Sequence, residues 1–293
     1  MRNLAVLLAC LTVALAGLCT APPARSDTAI QPPGTAAIPD GPAPNWIIAD
    51  LDSGAILAER NGSAVTPPAS TIKVLLALAV LDEVDLSATA VATDADVDVE
   101  CNCVGVRPGR SYTARQLLDG ALLASGNDAA NTLAELLGGP AAAVAKMNAK
   151  AAALGATATH AATPSGLDGA GGSGSTSPHD LAVIFRAALG NPVFAQIVAQ
   201  PSATFPAADG GQTVLTNTNE LLTRYPGALG GKTGFTNAAR KTYVGAAARD
   251  RRRLVVAMTY GLIHEGGPTY WDQAASLLDW GFAQGPQASV GSL

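Results

Sequence analysis

Residues 74–81 would be apolar around the whole circumference of a helix. This segment contains Val74, Leu75, Leu76, Leu78 and Leu81, and Pro67 and Pro68 interrupt the chain just before it. A helix without a polar face has no side to present to water, so it belongs in a protein core. The rest of the chain must therefore supply elements that surround this helix.

The surrounding segments are of two kinds. Strand patterns lie at both ends of the sequence, as an opening hairpin over 46–59 and a second hairpin over 242–260. The Ala-rich stretch between them predicts helices over 114–123, 129–137, 141–154 and 180–189. A last amphipathic helix is predicted after Pro268.

This order predicts a mixed α/β (α+β) fold. We expect an antiparallel sheet flanked by helices, built from about 45–83 and 206–293, with an all-helical part over about 84–205 inserted into it. Residues 45–293 would then form a single domain, because one α/β part split by an insertion fits this order better than two domains in tandem.

Composition excludes several classes of protein. Hydrophobic residues make up 48% of the 293 residues and charged residues 14%, whereas a disordered chain would be poor in the former and rich in the latter. The net charge of −5 and the lack of a basic stripe argue against a nucleic-acid-binding protein. The three histidines are scattered and none lies near Cys101 and Cys103, so we expect neither a metal nor a cofactor.

The N-terminus has the pattern of an export signal. Arg2 precedes an apolar run over 4–18, which is short for a membrane span and typical of a signal peptide. We expect a signal peptide over 1–26, an extended Pro- and Gly-rich leader over 27–44, and an exported protein in the periplasmic or cell-wall space or secreted, without a transmembrane anchor after cleavage. An uncleaved anchor is the alternative. Loss of two arginines with the signal takes the net charge from −5 to −7.

In an oxidising compartment, the Cys101-x-Cys103 pair would either form a disulfide or stay free.

Only five lysines occur in the chain, and one of them lies in a Ser-x-x-Lys motif, Ser70-Thr71-Ile72-Lys73. Residues i and i+3 share a helical face, so Lys73 can reach the Ser70 hydroxyl. Burial would lower the pKa of Lys73 and allow its amine to accept a proton. A helix cap followed by a surface lysine is the simpler alternative, but the crowd of apolar neighbours argues against it.

Two further motifs contain groups that suit a substrate site. Ser125-Gly126-Asn127 lies in a break between predicted helices, where a hydroxyl and an amide could relay a proton and bind a substrate amide, although such residues are also ordinary in turns. Lys232-Thr233-Gly234 follows Gly230-Gly231 and precedes Phe235. Glycines there would let a strand edge approach a ligand, and Lys232 with Thr233 could bind a carboxylate.

In this order, the three motifs resemble the S-x-x-K, S-x-N and K-T-G motifs of active-site serine penicillin-binding proteins and serine β-lactamases. Within that group, the chain resembles the low-molecular-mass D-alanyl-D-alanine carboxypeptidases of the small actinobacterial type, similar to peptidase family S11. The opening hairpin, Thr163–Asp168 and Gly230–Thr236 support the resemblance, which covers about residues 40–283.

The resemblance implies a role for each motif residue. Ser70 is the expected nucleophile, Lys73 its base, and Ser125 the proton relay to the leaving amine. Asn127, Lys232, Thr233, Gly234 and Phe235 are the expected substrate-binding residues. The backbone N–H groups of Ser70 and Phe235 are expected to form the oxyanion hole. Arg240 is a further candidate for a carboxylate contact, with Lys241 as the alternative.

The implied activity is removal of the terminal D-Ala from peptidoglycan stem peptides ending in D-Ala-D-Ala, through a Ser70 acyl-enzyme. β-Lactam antibiotics would then be covalent inhibitors. One alternative is a class A-like β-lactamase, but the loop over 163–179 contains no Glu to activate the deacylating water. A non-catalytic cell-wall-binding or sensor module is another alternative, and transpeptidation is compatible with the same motifs.

Overall fold

The computed structural model describes residues 28–169, 172–262, 266–285 and 287–293. The expected signal peptide over 1–26 lies outside the described residues. The strands are β1 (Asn45–Asp50), β2 (Ala55–Arg60), β3 (Thr89–Val91), β4 (Ser111–Thr113), β5 (Ser202–Pro206), β6 (Gln212–Thr216), β7 (Ala228–Thr236), β8 (Arg240–Arg249), β9 (Arg252–Gly261) and β10 (Gly291–Ser292). The helices are α1 (Lys73–Glu83), α2 (Asp94–Val97), α3 (Ala114–Leu122), α4 (Asn127–Glu135), α5 (Pro140–Ala153), α6 (Pro178–Leu189), α7 (Pro192–Val198), α8 (Leu221–Arg224) and α9 (Tyr270–Ala283).

Six strands form one antiparallel sheet in the order β10-β2-β1-β9-β8-β7. Side chains alternate between its two faces, as a two-residue strand period requires. In β1, Ile47 joins the larger core with α1 and α6, while Trp46 and Ile48 join a second core with α9. The sheet is therefore covered by helices on both faces, which confirms the predicted mixed fold.

Over its first eight residues, helix α1 is enclosed on all sides, in agreement with its apolar circumference. All residues from Lys73 to Val80 are buried, and α3, α4, α5 and α6 pack around the helix. A 3-10 turn over Ala69–Ile72 leads into α1. Ser70 therefore lies in this turn, one turn before the α-helix begins.

The β5–β6 hairpin crosses the predicted boundary at residue 206. Its strands pair with each other and not with the six-stranded sheet. Phe205 stacks on Tyr112 with ring centroids 5.4 Å apart, so the hairpin packs with the helical part of the molecule. The hairpin is thus separate from the six-stranded sheet, and strand pattern alone does not show which sheet a hairpin joins.

Candidate active site

The Ser70 hydroxyl and the Lys73 amine are in direct contact. Lys73 Nζ lies 2.7 Å from Ser70 Oγ. The residue before the serine, Ala69, has a φ of 47°, a left-handed conformation that is uncommon for a residue with a side chain. Ser70 is therefore presented by a strained turn at the N-terminal end of the buried helix, as strained residues often are at functional sites.

Two acceptors fix the direction of the Lys73 amine. Its Nζ donates to Asn127 Oδ1 at 2.7 Å and to the Ser165 carbonyl at 2.9 Å. A neutral amine has two N–H donors and one lone pair. When these two acceptors take both donors, the lone pair is left for the Ser70 hydroxyl proton.

The environment of Lys73 favours that neutral form. Burial lowers the pKa of Lys73 well below its usual range, and the nearby charge of Lys232 lowers it further, against a smaller opposing effect of Asp128. Among the described residues, no carboxylate forms a salt bridge with Lys73. Lys73 is thus placed and tuned to act as a base.

A second hydroxyl–lysine pair faces the first. Ser125, at the break between α3 and α4, has a φ of 61°, and its Oγ accepts a hydrogen bond of 2.8 Å from Lys232 Nζ. Lys232 also donates to the Thr233 carbonyl at 2.7 Å. Burial lowers the pKa of Lys232 to about 7. This lysine can therefore exchange a proton near neutral pH.

Strand β7 runs close to the nucleophile because it carries glycine there. A Cβ atom on Gly234 would lie 2.9 Å from Ser70 N and would collide with Thr242 Oγ1. The absence of a side chain lets the strand edge approach the backbone of Ser70. On the same strand, Thr233 Oγ1 lies 3.0 Å from Thr218 Oγ1, so two hydroxyls stand side by side.

These groups share one cleft of about 440 Å³. The cleft is lined by Ser70, Ser125, Asn127, Thr233, Gly234 and Phe235 among others, with Lys73 and Lys232 buried beneath it. The structure thus brings together all the motif residues named from the sequence. Arg240 is exposed and does not line the cleft, whereas the adjacent Lys241 does, since neighbouring side chains of a strand point to opposite faces.

Two residues of the site had no role assigned from the sequence. They are Ser165, whose carbonyl orients Lys73, and Thr218, which neighbours Thr233. The glycine at position 166 is the feature of the sequence that this loop requires: its φ is 82°, and a Cβ there would collide with the Ala69 carbonyl. The loop after Thr163 must therefore pack tightly against the Ser70 turn.

Comparison with known proteins agrees with this geometry. Residues 33–260 match the family described as D-alanyl-D-alanine carboxypeptidase, peptidase S11. The chain belongs to this family. As an S11 member with a paired Ser70 and Lys73, it is a serine hydrolase.

Individual proteins resemble this chain over most of its length. D-alanyl-D-alanine carboxypeptidase DacB2 of Mycobacterium tuberculosis is 69% identical over 268 residues, covering 92% of each chain. A crystal structure of a D-alanyl-D-alanine carboxypeptidase from M. tuberculosis H37Rv superposes with a TM-score of 0.88 at 71% identity, covering 90% of this chain and 100% of that one. The Streptomyces K15 DD-transpeptidase superposes with a TM-score of 0.78 at 26% identity, covering 85% of this chain and 100% of that one.

Within the described part of this S11 member, no single helix has the length and apolar character needed to cross a membrane. Helices α6 and α7 meet such a criterion only when taken together, and they are bent by 109° at the break between them.

Proposed function

We propose that this protein removes the terminal D-Ala from peptidoglycan stem peptides ending in D-Ala-D-Ala. The observation that carries the proposal is the contact of 2.7 Å between a buried, deprotonatable Lys73 amine and the Ser70 hydroxyl. The family match and the names of the relatives supply the substrate class.

Acylation begins at this contact. The neutral Lys73 amine takes the Ser70 proton while Ser70 Oγ attacks the carbonyl carbon of the bond between the two D-Ala residues. The negative charge that develops on the carbonyl oxygen is stabilised by the backbone N–H groups of Ser70 and Phe235. The close approach of Gly234 to Ser70 N supports this assignment of the oxyanion hole.

Departure of D-Ala requires a proton on its nitrogen. Ser125 supplies it from its hydroxyl as the C–N bond breaks, and Lys232, 2.8 Å away, returns a proton to Ser125 Oγ. Free D-Ala leaves. Water then attacks the Ser70 ester: its oxygen bonds to the acyl carbon as the bond to Ser70 Oγ breaks, and one proton of the water goes to Ser70 Oγ, which releases the shortened peptide and restores the serine. Lys73 gives the proton that it took in acylation to solvent, and Lys232 takes one up, so both lysines return to their starting states.

In this proposal the substrate carboxylate binds beside Thr233. The hydroxyls of Thr233 and Thr218 lie side by side there, Lys232 Nζ donates to the Thr233 carbonyl, and Lys241 also lines the cleft. Hydroxyl donors and cations are the groups that bind a carboxylate well. A peptide that ends in a free carboxylate is therefore the substrate form that this part of the cleft selects.

β-Lactams should acylate Ser70 and leave slowly. A β-lactamase needs a base to activate the deacylating water. Among the described residues, the 163–169 loop offers the Ser165 carbonyl to Lys73 and Ser70, and its Asp168 carboxylate binds Thr236 and Ala238 instead. This arrangement favours the carboxypeptidase over the β-lactamase.

We also propose that the protein is exported and works at the cell wall. The apolar run near the N-terminus, the location of the substrate and the disulfide between Cys101 and Cys103 support this, since disulfides persist in oxidising compartments.

The test is release of D-Ala from a pentapeptide stem. The wild type should release one D-Ala per peptide, and Ser70→Ala should lose at least about a thousandfold in rate. Ser63→Ala, which removes an exposed serine outside the cleft, is the matched control and should keep wild-type activity. Equal release by the wild type and Ser70→Ala would refute the proposed mechanism.

A further inference from the structure

A disulfide lies on the wall of the active-site cleft. Cys101 and Cys103, two residues apart, are bonded to each other, and Cys101 lines the cleft next to Glu100 and Asn102. Both cysteines are exposed to solvent. The mechanism proposed above uses neither sulfur, so the reason for a disulfide at this place must be sought in its neighbours.

The residues beside Cys101 hold Asn127 in place. Asn127 donates from its backbone N–H to the Asn102 carbonyl at 2.7 Å and from its side-chain Nδ2 to the Glu100 carbonyl at 2.8 Å. Asn102 in turn donates from Nδ2 to the Ala124 carbonyl at 2.9 Å, just before Ser125. One short turn thus holds the segment that carries both polar groups of the Ser125-Gly126-Asn127 motif.

The bond to the Glu100 carbonyl decides which way the Asn127 amide faces. With Nδ2 on Glu100, Oδ1 points to Lys73 and accepts its hydrogen bond of 2.7 Å. If the amide rotated by half a turn, its NH₂ group would face the Lys73 amine as a second donor. The Lys73 amine would then lose one of its two hydrogen-bond acceptors, and its lone pair would no longer be directed at Ser70.

The disulfide links the residues next to Glu100 to a part of the same loop that is held by hydrogen bonds. The buried Asp128 carboxylate accepts hydrogen bonds of 2.9 to 3.0 Å from the backbone N–H groups of Val104, Gly105 and Val106. Val104, the first of these donors, directly follows Cys103. The bond between Cys103 and Cys101 therefore restrains Cys101 as well, which is the neighbour of Glu100.

We propose that the Cys101–Cys103 disulfide is a positioning element of the active site, which holds the Asn127 amide and through it the Lys73 amine, so that reduction of the disulfide slows acylation of Ser70. The proposal rests on the function proposed above for Ser70 and Lys73. A dithiol can carry out the reduction: it gives two electrons and two protons to the two sulfurs, becomes a cyclic disulfide itself, and leaves Cys101 and Cys103 as thiols.

The test compares oxidised and reduced protein on two reactions. Acylation of Ser70 by benzylpenicillin is followed by intact mass, and release of D-Ala from a pentapeptide stem is followed in parallel. In the dithiothreitol-reduced wild type, both the acylation rate constant and kcat should fall about tenfold or more, because the Lys73 amine loses an acceptor that orients it. Reoxidation should restore both rates.

The Cys101→Ser/Cys103→Ser double variant separates this effect from other effects of the reductant. It should match the reduced wild type with and without dithiothreitol. If the reduced wild type and the double variant both keep the oxidised rates, or if only KM changes, the positioning role is wrong. If the oxidised wild type is acylated but releases no D-Ala, the proposed function fails, while the rates of acylation still decide the role of the disulfide.

Discussion

Two pairs of lysines occupy opposite environments in this molecule. In the cleft, Lys73 and Lys232 are buried and their amines contact uncharged oxygens of Ser70, Asn127 and Ser125. On the outer face of α5, Lys146 and Lys150 are partly exposed and form salt bridges with Glu83 and Asp82 at 2.5 and 2.6 Å.

The difference shows what the active site requires. A salt bridge in water holds a lysine in its charged form and contributes little energy. A lysine taken out of water and given neutral partners loses that preference, and its amine becomes available as a base. The two buried lysines can therefore transfer protons because they are not hydrated, whereas the two surface lysines stay hydrated and charged.

The largest effect should come from removing the base. Lys73→Met keeps the length and apolar stem of the side chain but cannot accept the Ser70 proton. We expect acylation by benzylpenicillin to fall by about 10³-fold, within the range of general-base contributions. Rapid-quench mass spectrometry of the acyl-enzyme measures this rate.

Lys150→Met is the matched surface control for that experiment. It should change the acylation rate by less than about twofold, because a solvated charge far from a reaction contributes little to it. Equal losses in the two variants would contradict the contrast between the two pairs.

A smaller effect is expected on the stability of the fold, which burial of the Lys232 amine lowers. Burial lowers the pKa of Lys232 from 10.5 to about 7. Because the unfolded chain binds this proton more tightly, stability rises with pH between about 7 and 10.5, and the cost is fully present below pH 7. This pKa difference corresponds to a cost of about 5 kcal/mol for burying the charged lysine. A substitution that removes the amine removes this cost, but it also removes the hydrogen bonds to Ser125 Oγ and the Thr233 carbonyl, which offsets part of the gain.

Lys232→Met should therefore be inactive but more stable than the wild type by about 2–4 kcal/mol at pH 6. The gain should shrink at pH 9, where the wild-type lysine is neutral. Urea unfolding of both proteins at the two pH values measures it, and a variant that is less stable than the wild type at pH 6 would contradict the account.

The sequence predicted the chemistry of the site better than its geometry. Ser70 with Lys73 and Lys232 with Thr233 lie within four residues of each other, so local spacing was enough to pair them. The contact between Lys73 and Ser165 spans 92 residues, and the one between Lys232 and Ser125 spans 107. Such contacts depend on how helices and strands pack, which periodicity does not determine.

The fold shows the same division. The boundaries of α3, α5 and α6 follow apolar spacing and capping residues, such as Ser177 at the start of α6, and were predicted to within a few residues. The insertion of β1 beside β9, some 200 residues later in the chain, is a long-range pairing with no local signal. The orientation of Arg240 and Lys241 depended on the exact register of β8, which the sequence left open.

The smallest effect is expected on the surface. Lys146→Met and Lys150→Met should each lower the free energy of unfolding by less than about 1 kcal/mol, and the loss should decrease further at high salt. Urea unfolding at low and at 1 M salt measures this. A loss of several kcal/mol from either variant would mean that the surface pair is not merely solvated charge.

The most direct measurement is the protonation of Lys73 itself. With only five lysines in the chain, the side-chain signals of protein made with isotope-labelled lysine can be followed by NMR as pH is raised and assigned by substituting each lysine in turn. Lys73 should lose its proton at a pH well below the value of about 10.4 for free lysine. If Lys73 keeps its proton up to that pH, it cannot be the base that activates Ser70, and the proposed mechanism is wrong.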